Sequence, residues 1–94
     1  MTTELEFIIK DYAMGVDHLD IAYDIMMESL FVLIDRDEIQ DAMLTLSEEQ
    51  KKLVLEVDRV LKTKSSLISK ILPSPGSTPQ ARAEGRWWWF LNEA

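Results

Sequence analysis

The chain has no cysteine, one histidine, three glycines and three prolines among its 94 residues. Without cysteine there is no disulfide, no thiolate nucleophile and no Cys-based zinc site. Glycines this sparse and dispersed form no phosphate-cradling loop. Long apolar runs are missing as well. The most apolar stretch, Ile25 to Ile34, is ten residues long and contains Glu28, too short to cross a bilayer. The first residues are acidic rather than basic-then-apolar, unlike a secretory leader. A cytoplasmic protein that neither spans nor coats a membrane is expected.

Positive charge is scarce where the chain starts. Residues 1–46 hold eleven acids and two bases, residues 47–72 four acids and six bases, and residues 73–94 two of each, for a net charge of −7. An acidic first half repels nucleic acid and anionic lipid headgroups. It suits solubility, a basic partner, or pairing with the chain's own basic second half. The run Lys51, Lys52, Arg59, Lys62, Lys64 and Lys70 lacks interleaved aromatics, so it reads as charge complementary to the acidic half, not as a nucleic-acid face.

Apolar content is 47%, too high for a disordered chain. Its spacing is helical. Leu5, Ile8, Tyr12, Leu19, Met26 and Leu33 recur at three- and four-residue intervals, and Gly15, Ala22 and Ser29 complete the same seven-residue frame. That continuity predicts one long helix from about Thr3 to Ile34; the rival is a break at Gly15 with Asp17 capping a second helix. A short helix near Asp37–Thr45 follows, carrying Ile39, Ala42 and Met43, with Leu46 just beyond. Ser47-Glu48-Glu49-Gln50 is a capping box. It opens a second apolar stripe that includes Leu53, Val54, Val57, Val60, Leu61, Leu67, Ile68 and Leu72, stopped by Pro73.

The fold expected is all-α. A long antiparallel helical hairpin over residues 1–72 forms a helical bundle, most simply as a homodimer, or else a three-helix monomer sealed by the tail. Residues 73–94 are expected as an irregular arm: a Pro/Ser/Gly linker, then Trp87-Trp88-Trp89-Phe90. Rings of that size are either hidden or used. The arm is expected to latch its own body, a dimer mate or a partner protein. Arg82 and Arg86 are within reach of the rings as candidate cation–π partners. The small residues Gly15, Ala22 and Ser29 form the candidate groove to receive them.

Carboxylates supply the one enzymatic alternative. Asp17, Asp20, Asp24, Glu28 and Asp35 are spaced as a ladder along one helix face. Asp17-x-x-Asp20 followed by Glu38-x-x-Asp41 is loosely similar to the Glu-x-x-Glu…Glu-x-x-Asp motif of the all-α nucleotide pyrophosphohydrolases. That resemblance would imply magnesium held on Asp17, Asp20, Glu38 and Asp41, although two of the four are Asp where that family has Glu. His18 has apolar helix neighbours and no nucleophile at a matching offset. The favoured reading is a non-catalytic interaction or regulatory module with no cofactor. A third alternative is an antitoxin- or inhibitor-like protein whose tail orders on its target.

Overall fold

The structure, a computed structural model, describes residues 4–93. It is all-α, with no strand among the described residues. The described residues form five α-helices, α1 Glu4–Asp17, α2 Ile25–Asp41, α3 Glu48–Thr63, α4 Ser65–Ile68 and α5 Pro79–Ala83, interspersed with short 3-10 turns. No helix among the described residues is long and apolar enough to cross a membrane.

The unbroken first helix does not form. Its expected start at Thr3 lies outside the described residues, and α1 ends at Asp17. Gly15 stays helical, so the rival break at Gly15 is also misplaced. His18 closes α1 by donating from Nδ1–H to the Met14 carbonyl at 2.8 Å. A 3-10 turn, Leu19–Ile21, leads to Ala22 in extended conformation. Asp24, not Asp17, then caps α2 by accepting from the Met27 amide at 3.1 Å. Heptad spacing missed this because the seven-residue connector returns Leu19 to the core, keeping the apolar phase while reversing the chain. Asp11 lies beside Asp35 and Gly15 against Val32, so α1 and α2 run antiparallel. The carboxylate ladder is broken with the helix. Met26, placed on the apolar stripe by its spacing, is exposed.

The helix expected over Asp37–Thr45 is absorbed by α2, which runs to Asp41 before a 3-10 turn at Met43–Thr45. The capping box forms as read: Ser47 Oγ accepts from the Gln50 amide at 3.1 Å, and Gln50 Oε1 from the Ser47 amide at 2.9 Å. The second long helix runs to Thr63, hitches at Lys64 and continues as α4 and a 3-10 turn to Ile71.

α1 packs on both α2 and α3. Ile9, Tyr12, Val16, Leu19, Val32, Leu33, Val54 and Leu61 fill the core, with Ile39 and Ile68 toward the end where the tail arrives. The segment after Pro73 joins the same core through Ala81, Trp88 and Trp89. The molecule's radius of gyration, 12.8 Å, is close to the ~12 Å expected of a compact chain of this length, so the arm lies folded back.

That arm is more regular than the sequence suggests. Thr78 Oγ1 caps α5 by accepting from the Ala81 amide at 3.0 Å, and Pro79 takes the first helical position. Gly85, at φ +75°, ends the helix. Its amide donates to the Arg82 carbonyl at 3.1 Å, and the Arg86 amide to Ala81 at 2.9 Å. These are the paired bonds of a Schellman stop, which needs the left-handed conformation glycine tolerates. The turn aims Trp87–Phe90, a 3-10 segment, at the end of α2.

Candidate interaction face

Two charged clusters hold this fold shut and leave one face of it open. The first is buried between α1, α2 and α3. Arg36 Nε and Nη2 donate to the two Asp58 carboxylate oxygens at 2.8 and 3.0 Å, and Tyr12 OH donates to Asp58 Oδ1 at 2.5 Å. Burial, then the adjacent Asp58 charge, pushes the Tyr12 hydroxyl well above its ordinary value. The Arg36 guanidinium also lies 4.4 Å from the centre of the Trp88 ring.

The second cluster fastens the arm. Asp37 Oδ1 accepts from Trp88 Nε1 at 2.9 Å, Trp89 Nε1 at 2.8 Å and Arg86 Nη1 at 3.1 Å. Arg86 also reaches Asp41 at 2.6 Å and Glu84 at 2.7 Å. These carboxylate bonds, Asp41's first and then Glu84's, raise the guanidinium pKa. Trp88 and Trp89 are 1% and 4% exposed. Trp89 lies on Gly76, where a Cβ would come within 2.7 Å of the ring, and its carbonyl accepts from Ser77 Oγ at 2.7 Å.

The sequence-predicted residues divide accordingly. The tryptophans dock on the chain's own body, at the end of α2, and no tryptophan lies on the small-residue stripe. Gly15 instead faces Val32, whose Cγ2 would lie 2.8 Å from a Cβ there. Ala22 is half-buried in the connector, and Ser29 is fully buried with no partner for its hydroxyl. Of the candidate cation–π pairs, Arg82 stacks on Phe90 at 4.1 Å. Arg86 is taken by carboxylates, and Lys62 covers Trp87 at 4.6 Å. Trp87 and Phe90 remain half-exposed at the edge of a cleft of about 510 Å³.

The four pyrophosphohydrolase-like carboxylates are not gathered. Asp20 is paired with Lys64 at 3.1 Å and Asp41 with Arg86. The Asp17 carbonyl accepts from Lys64 at 3.0 Å, and Glu38 is exposed on α2. Among the described residues, no group of three His, Asp or Glu side chains is placed to hold a metal ion. The break after Asp17 takes Asp20 off the helix that would align the two carboxylates.

What remains open is the seam between α1 and α2. A cleft of about 410 Å³ there is lined by Asp11, Met14, Gly15, His18, Ile21, Ala22, Glu28, Phe31, Val32 and Asp35. Met14 and Phe31 are 55% and 50% exposed, and Phe7, Met27 and Ile34 extend the apolar surface beyond the cleft. Asp35 is half-buried in this wall. Burial, with Asp11 and then Glu38 beside it, pushes its carboxyl up to about 7. Asp35 belongs by spacing to the acidic ladder, whereas Phe7, Met14 and Phe31 lie off the apolar stripe of Leu5, Ile8, Tyr12, Leu19, Met26 and Leu33. The signal was present: Phe7, Asp11, Met14 and His18 share one helix face by their four- and three-residue spacing.

Comparison of the chain with family models, with curated proteins and with solved structures finds no match.

Proposed function

We propose that this chain is a small, non-catalytic, cytoplasmic protein–protein interaction module. Its helical body, residues 1–72, presents the α1–α2 seam to a partner, and its arm, residues 73–94, latches that body from within. The observation that carries this reading is the exposure of Met14, Ile21 and Phe31 around one cleft, with Phe7, Met27 and Ile34 also exposed on the same two helices. Clustered apolar surface of this kind marks interaction sites. Trp88 and Trp89 are consumed by the latch, so the partner's surface lies elsewhere.

Site-specific photo-crosslinking tests the reading. A benzophenone side chain at position 31 should trap a discrete partner in the cell of origin, and one at the exposed Leu44 should not. Equal or absent adducts at both positions would overturn it. The inhibitor-like alternative, a tail that orders on its target, predicts red-shifted tryptophan emission from the free chain.

The same exposed residues also support a second reading, the homodimer. Two copies paired across their α1–α2 seams would form a helical bundle. Sedimentation at twice the 10.9 kDa chain mass, abolished by Phe31→Ser, is the result this reading requires.

A further inference from the structure

We propose that the α1–α2 cleft receives an amphipathic helix of a partner protein, with the helix's Lys or Arg side chains seated against Asp11 and Asp35. This rests on the interaction-module reading and names the partner's chemistry.

Three observations converge on it. First, the cleft has an apolar middle and acidic ends, with Asp11 and Asp35 at one end and Glu28 toward the other. Met14, Ile21 and Phe31 line it together with Asp11, Glu28 and Asp35, and no Lys or Arg lines it. The two bases of the acidic half do not serve it. Arg36 is buried on Asp58, and Lys10 lies outside the cleft lining.

Second, among the described residues the half-buried Asp35 has no ion-pair partner. Asp58 has Arg36, Asp20 has Lys64, and Asp37 and Asp41 share Arg86. The groups acting on Asp35 are Asp11 and Glu38, both acidic. A carboxyl drawn into an apolar wall beside like charges is unfavourable until a cation arrives. An amine or guanidinium on an apolar helix supplies that cation and covers the exposed apolar side chains in one event. Phe7, Met14 and His18 repeat along α1 over about 16 Å at 1.5 Å per residue, enough for three turns of a docked helix.

Third, the charge disfavours a second copy as occupant. A two-fold dimer places the same patch on itself, which would bring Asp11, Glu28 and Asp35 of one chain against those of the other. Like-charge juxtaposition of this kind selects against a partner.

The test uses the full chain and a fluorescein-labelled 14-residue peptide of Leu at helical spacing with Lys at the remaining positions. A Leu/Glu analogue is the control, and anisotropy at 0.15 M salt the readout. Saturable one-to-one binding of the Leu/Lys peptide is expected, at least about tenfold tighter than of the Leu/Glu analogue. Asp11→Asn/Asp35→Asn should weaken it about tenfold while raising Tm. Glu48→Gln/Glu49→Gln removes at least as much negative charge from the exposed start of α3 and should change affinity less than about twofold. Phe31→Ser should weaken binding as the Asn pair does.

Equal losses in the two double variants would mean generic attraction and overturn the proposal. So would full displacement by spermidine at the peptide's own concentration, or a free chain that sediments as a dimer broken by Phe31→Ser. Absent peptide binding alongside a position-31 crosslink sinks this inference and leaves the interaction reading standing.

Discussion

Asp37 Oδ1 accepts from two indole N–H groups and a guanidinium at once. An indole N–H buried without an acceptor loses its hydration and gains nothing in return. Asp37→Ala should therefore cost about 2–4 kcal/mol and shift tryptophan emission to the red; an unchanged urea midpoint would show that the arm docks without it. Arg36 and Asp58 are both buried, so the pair's two halves depend on one another. Arg36→Met alone should cost about 3–5 kcal/mol by stranding Asp58, whereas Arg36→Met/Asp58→Leu should recover most of that loss. Asp35 behaves differently, because its neighbours are acids. Its carboxyl is pushed up to about 7 from the ordinary value near ~4, so the folded state holds this proton more tightly than the unfolded chain. Its contribution is full below about pH 4 and is lost as pH rises through about 7. Asp35→Asn should raise Tm at pH 8 by roughly 2–4 °C and remove that part of the pH dependence. A Tm difference between variant and parent that stays constant from pH 5 to 8 would contradict this.

At the level of elements, Gly15 sets how closely α1 and α2 approach. Alanine there would gain about 1 kcal/mol of helix propensity, but its Cβ would stand 2.8 Å from Val32 Cγ2. Valine is stiff at that torsion, so the helices must part. Gly15→Ala should cost about 1–3 kcal/mol, and adding Val32→Ala should cost less than the two changes summed; strict additivity would mean the seam is loose. The element boundaries show which local signals sufficed. Ser47 and Gln50 close their box with backbone groups three residues away, so α3 was readable from sequence. Thr78-Pro79 and Gly85 are equally local signals for α5, masked by the proline, serine and glycine around them. The break between α1 and α2 had weaker markers. Asp17 and Asp24 are equivalent as caps on spacing alone, and the chain turns between them where Leu19 is buried and Lys64 Nζ donates to the Val16 and Asp17 carbonyls.

On the scale of the whole molecule, the arm is a structural part of the core. Trp88 is the largest fully buried side chain and Trp87 is only half-buried. Trp88→Ala should cost about 3–5 kcal/mol by denaturant unfolding, and Trp87→Ala clearly less. Comparable costs at the two positions would mean the rings are packed otherwise. A chain this short has little core to spare, which explains why the tail is recruited into it. The exposed apolar cluster on α1 and α2 is what the arm leaves uncovered, and it sets where a partner is sought.

The sequence alone determined the helical class, the start of α3, most but not all positions of the apolar stripes (Met26 and Leu53 are exposed) and the need of the tryptophan run for burial. Each follows from propensity, periodicity or a backbone bond spanning three or four residues. Tertiary structure decided where the first helix ends, which carboxylates keep a cation, and that Asp37 rather than the Gly15–Ala22–Ser29 stripe meets the indoles. Those outcomes depend on which side chains fifty or so positions apart come within about 3 Å, and the reach of local spacing ends at a helical turn.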